Sequence, residues 1–208
     1  RDYKVTGVQT CALPISLLLG AAAVVLPGYV PRRARGCPGD MVAVEGAFCI
    51  DRYEGTLRAV LGRLVTRSWS PFQAPTVGGR YRAESRRGVV PQGYISQVAA
   101  RAACAAAGKR LCAEAEWVRA CKGPSPTTWP YGPERQPGRC NDDGINPVPR
   151  LYAGGDVFHD RQMNDPRLNT LPRSLARTGQ RGRCRNRYGV FDMVRSEEHT
   201  SELQSPCN

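Results

Sequence analysis

The sequence predicts a loop-rich α+β domain, on three observations. Two short helices meet around Gly108, and two apolar strands flank the turn pair Glu45-Gly46. The stretches Ser68–Arg87 and Arg150–Arg183 are rich in Gly, Pro and Arg and follow neither a helical nor a strand period.

The helix pair organises the rest. Ser96 is placed to cap a first helix over Gln97–Ala107, because its hydroxyl can accept from an orphan amide of the first turn. Gly108 suits the left-handed conformation that ends a helix, and Lys109–Cys112 is a tight connection. Glu114 and Glu116 open the second helix, where carboxylates complement the helix dipole. Trp117, Ala120 and Cys121 fall at i, i+3 and i+4 and share one face, which makes Trp117 a core residue. Gly123 and Pro124 stop the helix. Arg110, Glu114 and Glu116 suggest a buried ion-pair cluster, the alternative being a solvated helix start.

Both ends read as translated DNA. RSEEHTSELQS, Arg195–Ser205, and VTGVQTCALPI, Val5–Ile15, are translations of one oligonucleotide on opposite strands, as a sequencing adapter would give. Residues 1–15 and 195–208 are therefore set apart from the fold, and the chain between them is expected to be open at both ends. Residues 16–36 contain the apolar, uncharged Leu17–Val30, shorter than the ~20 residues of a membrane span. This reads as a truncated signal peptide or a truncated membrane anchor. Either places the domain outside the cytoplasm, in periplasm, envelope or medium.

Residues 37–194 form the predicted domain. Met41–Val44 and Ala47–Ile50 are the strands of a hairpin. Asp51 and Glu54 follow it. Two carboxylates can serve acid–base chemistry, but a strand end with an Arg52 ion pair is the favoured reading. Leu57–Val65 alternates weakly and suggests one more strand, whereas Ser68–Arg87 reads as a loop. Trp129–Gly132 is a turn with two aromatics. Cys140–Gly144 is rich in oxygen ligands, and Asn141, Asp142 and Asp143 are candidate calcium ligands. It lacks the spacing of an EF-hand, and an Asx turn explains it equally well. His159 reads as a surface residue.

Composition narrows the partners. The chain carries +12 net charge, and all but three of its 30 basic residues are Arg. Those Arg are scattered and aromatics are few, so nucleic-acid binding is not expected. Seven cysteines lie between the set-apart ends: Cys37, Cys49, Cys104, Cys112, Cys121, Cys140 and Cys184. No CxxC pair occurs, which argues for disulfides in an exported protein over a zinc site. Six can pair in fifteen ways, and one is left over.

Three ordered motifs carry a resemblance. AGKRLCAEAEWVRACKG (Ala107–Gly123), followed by WPYG (Trp129–Gly132), resembles the signature of the formylglycine-generating enzyme, or sulfatase-modifying factor, family. MVAVEGAFCIDRYEGT (Met41–Thr56) is similar to that family's opening segment, and NRYGVFDMV (Asn186–Val194) to its NxyGLyDMv segment. Cys112-Ala113 stands where the family has Pro-Thr. Loss of that N-cap oxygen costs about 1 kcal/mol, which a disulfide at Cys112 would offset. The resemblance implies a C-type-lectin-like α+β fold and structural calcium, with Asn141 at a ligand position. It also implies an oxidase that turns a cysteine of a sulfatase CxPxR segment into formylglycine, a sulfatase-like polypeptide being the partner. The copper of that reaction is held in full-length active members by two cysteines beyond the last motif, so the present sequence is expected to be inactive. Two alternatives are a non-catalytic exported binding module with an envelope partner and a non-haem iron, sulfoxide-synthase-like enzyme. The latter needs a histidine cluster that this sequence does not supply.

Overall fold

The computed structural model describes residues 4–5, 11–14, 36–62, 65–142, 147–152, 165–172 and 174–194. Leu17–Val30, Asp143 and His159 lie outside them. The hairpin forms as the sequence predicts. Strands β3 (Met41–Val44) and β4 (Phe48–Asp51) pair antiparallel, with Val42 opposite Ile50. Glu45 and Gly46 take φ of 51° and 70°, the left-handed pair that matches strand twist. Strand β5 (Gly55–Leu61) follows and pairs on one side with β6 (Val65–Ser68). The single strand expected over Leu57–Val65 is therefore a hairpin whose second arm runs into the supposed loop.

On its other side β5 pairs with β7 (Tyr81–Ser85), which lies wholly inside the stretch read as loop. The period-2 signal is present there: Ala83 and Ser85 are buried while Arg82 is exposed. It was hidden because the inward residues are small. Strand β8 (Ile95–Ser96) leads into α1 (Gln97–Ala106). Ser96 caps this helix, its hydroxyl accepting from the Ala99 amide at 3.2 Å, and Gly108 turns the chain at φ 73°. The connection to α2 (Glu114–Lys122) holds a two-residue strand, β9 (Arg110–Leu111). A five-residue helix, α3 (Pro147–Leu151), and a 3₁₀ turn (Pro166–Thr170) follow.

The first fifteen residues, set apart above, contribute two short strands. Lys4–Val5 (β1) pairs with β8, and Cys11–Pro14 (β2) inserts between β4 and β9. Main-chain hydrogen bonding is blind to the origin of a sequence, so a short apolar segment can add to an open sheet edge. The sheet orders are β3-β4-β2-β9, β6-β5-β7 and β1-β8.

Each helix covers one sheet. Helix α2 sets Ala120 and Cys121 against Val44, Phe48 and Ile50, with Trp117 packed at the side as expected. Helix α1 sets Ala100, Ala103 and Cys104 against Leu57 and Ala83. The last described segment returns across both. Val190 and Met193 enter the α2 core. The buried Thr178 bonds the turn that follows β7, its amide donating to the Val89 carbonyl and its carbonyl accepting the Gly88 amide, both at 2.8 Å. Gly179, at φ 65°, lies against the Tyr53 ring, where an added Cβ would come within 2.7 Å, so the position requires glycine.

Candidate functional site

Charge placement departs from the sequence reading first at Asp51. This residue is fully buried, and its partner is Lys109, not Arg52. The Lys109 ammonium, 8 % exposed, donates to Asp51 and to Asp40 at 2.6 Å each. Lys109 sits in the turn between the helices, so the pair ties the helix hinge to the hairpin. The arrangement is structural, with a cation between two carboxylates; it is not the paired acid and base that Asp51 and Glu54 would have made. At the start of α2, Arg110 grips Glu116 through two bonds of 2.7 and 2.6 Å. The pair is partly exposed and Glu114 takes no part in it, so the expected buried cluster reduces to one bidentate bridge. Glu116 also accepts the Ala113 amide at 2.9 Å, which supplies half a capping box where Ala113 has no oxygen to return. Arg110 accordingly holds the Glu116 carboxyl below its usual range.

The cysteines divide as follows. Cys37 bonds Cys49, Cys140 bonds Cys184, and Cys104 and Cys121 are disulfide-bonded too. Cys112 is the free thiol among the described residues, so no bridge offsets the missing cap. It packs against the α2 core, and burial, then the Glu116 charge, push its pKa up to about 12. At pH 8 its thiolate population is roughly a thousandfold below that of an ordinary thiol. Maleimide or disulfide-reagent labelling of the native protein at pH 8 should therefore leave Cys112 unmodified while unfolded protein reacts. Equal rates in both states would place the thiol in solvent. The raised value also gives stability that is whole below pH 9 and is lost as pH rises toward 12.

The candidate calcium loop is held by an arginine. Asp142 accepts from the Gly138 amide and from Arg135 Nε, both at 3.2 Å, and Arg135 Nη2 also reaches the Asp142 carbonyl. Asn141 adjoins it, and no group of three or more His, Cys, Asp or Glu residues converges on a metal position among the described residues. As arranged, the loop presents an acid already neutralised by a guanidinium.

A concave site lies elsewhere. A cleft of about 700 Å³ opens between the end of α2 and residues 182–189. One wall begins at Gly123, φ 76°, which ends α2 and brings the chain beside Asn186. Asn186 is buried; its amide donates to the Ala120 carbonyl, and its oxygen accepts the Tyr188 and Val190 amides at 3.0 and 3.1 Å. The other wall is the Trp129–Gly132 turn, closed by two backbone bonds, with the Trp129 and Tyr131 rings stacked at 6.1 Å. Arg139 lies 4.5 Å over the Tyr131 ring and donates to the Arg183 carbonyl at 3.1 Å. The Cys140–Cys184 bridge fastens these walls together.

Lys122, Arg139, Arg183, Arg185 and Arg187 line this cleft, and among the described residues no carboxylate does. Tyr188, also in the lining, donates to Glu45 on its outer side at 2.7 Å, and Arg119 pairs with that Glu45. Burial and the Glu45 carboxylate push the Tyr188 phenol up to about 12. Sequence reading missed the cleft. The one available signal was RCRNR, which puts Arg183, Arg185 and Arg187 at alternate positions of an extended segment.

No curated protein and no solved structure gives a significant match to this chain. The family model described as the sulfatase-modifying factor enzyme 1-like domain matches residues 17–195. That match spans most of the sequence, and the protein belongs to the sulfatase-modifying factor (formylglycine-generating enzyme) domain family.

Proposed function

We propose that this domain is an exported, disulfide-stapled binding module of its family, built on the C-type-lectin-like variant of the α+β fold. The supporting observation is the state of the thiols. Copper chemistry of the family type needs two soft thiolates. The described residues offer one free thiol, packed against the core and far from ionising, while Cys37, Cys49, Cys104, Cys121, Cys140 and Cys184 are spent in bridges. This donor set does not fit copper, so no oxidation step is derived for it. The same bridges are compatible with an oxidising compartment. Family membership favours the oxidase as the second reading, with a sulfatase-like polypeptide as its partner. Incubation with a CxPxR peptide, cuprous ion, oxygen and a reductant tests whether the residues present oxidise the peptide, and the same assay on a chain carried past the last motif decides between the two readings. The expected result is no aldehyde by hydrazide capture; formation of the aldehyde overturns the module reading.

Structural calcium at Asn141 is a separate proposal that rests on the family resemblance. A cation there must displace Arg135 from Asp142. Added calcium should then raise the melting temperature more in Arg135→Ala than in the unaltered chain. No shift in either protein sinks the calcium site.

A further inference from the structure

We infer that the cleft between the end of α2 and residues 182–189 binds a compact saccharide carrying several sulfate or phosphate esters. The inference goes beyond the module reading and stands whether or not the domain oxidises cysteine.

Its first ground is uncompensated charge. Elsewhere among the described residues six cations pair with acids, Arg58 with Glu84, Arg110 with Glu116, Arg119 with Glu45, Arg135 with Asp142, Arg167 with Asp165 and Lys109 with two aspartates, while unpaired arginines such as Arg67 and Arg82 stand singly on exposed surface; the cleft gathers its unpaired cations in one concavity. The five cleft cations have no such partner. Arg183 and Lys122 make no side-chain hydrogen bond, Arg187 only a 3.4 Å bond to Ser125, and Arg185 rests on the Phe191 ring. Such a concentration of one sign inside a concave wall focuses potential and draws in anions.

The second ground is shape and preorganisation. The volume falls in the range of small-ligand sites and exceeds what a single tetrahedral anion needs. Arg139 is locked by its stack on Tyr131, by Gln136 and by the Arg183 carbonyl. The Cys140–Cys184 bridge fixes the two cationic walls relative to one another. Guanidinium groups so held meet sulfate or phosphate oxygens with little entropy left to lose. The Tyr188 ring and the Ser125 hydroxyl, both in the lining, add the flat apolar and polar contacts that a sugar ring uses. A CxPxR segment brings a cation of its own and is the wrong charge for this cleft.

Sucrose octasulfate and inositol hexakisphosphate are the probes, titrated against the full chain by calorimetry. Binding of either at one site per chain is expected, and the stronger of the two tells sulfate esters from phosphate esters. Affinity should fall roughly tenfold between 50 and 200 mM salt. The double substitution Arg183→Ala/Arg187→Ala should weaken binding by roughly 100-fold, as loss of two charge-assisted contacts implies. Both side chains lack ion pairs, so the variant should keep the native melting temperature. Arg67→Ala/Arg82→Ala removes the same charge from the exposed faces of β6 and β7 and should change binding less than twofold. No binding, equal weakening by both double variants, or tighter binding of a single-stranded oligonucleotide of equal charge would overturn the inference. None of these readouts involves cysteine chemistry, so this test and the peptide assay fail independently.

Discussion

Lys109→Met is expected to destabilise the domain by about 3–5 kcal/mol, because it strips the cation from a fully buried aspartate. For a domain of this size that corresponds to a fall in melting temperature of roughly 10 °C or more. The argument is one of desolvation. Asp51 ends the second strand of the hairpin with no access to water, and the Lys109 ammonium reaches it at 2.6 Å. Asp40, more exposed, can regain water when the ammonium leaves; Asp51 cannot. Replacing both members, as in Lys109→Met/Asp51→Leu, should recover most of the loss, since a packed apolar pair is often no worse than a buried ion pair. A thermal-melt double-mutant cycle checks this. Additive losses from the two single substitutions would show that the charges do not act as a pair.

Removing the Cys140–Cys184 bridge as Cys140→Ala/Cys184→Ala should cost about 4 kcal/mol, against about 3 for Cys37→Ala/Cys49→Ala. The difference follows from the closed loops, which span sequence separations of 44 and 12. In the chain-entropy account, the longer loop restrains more of the unfolded ensemble. Denaturant titrations of the two variants measure both values. Only the first variant should also lose polyanion binding, because only that bridge joins the walls carrying Arg139 and Arg183. A reversed order of the two losses would mean that strain or residual structure, not loop entropy, sets their size.

What the sequence made legible is what local chemistry decides. Ser96 had to cap something, Gly108 and Gly123 had to end something, and the 3.6-residue spacing of Trp117, Ala120 and Cys121 had to face a core; each does. The Glu45-Gly46 turn fixed the hairpin register in the same way. Pairings across large separations were not legible. Arg52 is adjacent to Asp51 in sequence, yet side chains on neighbouring strand residues point to opposite faces. The cation that reaches Asp51 comes from 58 residues away. Strand β7 escaped notice because Ala83 and Ser85 carry little apolar signal, although β5 makes them core residues. The cleft escaped for a similar reason: Lys122, Arg139 and Arg183–Arg187 look like three unrelated basic spots until the Asn186 clamp and the Cys140–Cys184 bridge bring them together. Arg scatter along the chain is not Arg scatter in space.

The return of residues 174–194 over both sheets sets the order in which the domain can be assembled. Thr178 bonds back to Arg86, Gly88 and Val89, Phe191 to Arg52, and Asn186 to Ala120. Val190 fills the space beneath Ile50 and Phe48. A nascent chain that has reached only the 3₁₀ turn at Pro166–Thr170 therefore holds two half-covered sheets and cannot complete either. Folding must wait for residues 174–194 and then close long loops all at once, a slow topology that leaves strand edges open in the meantime.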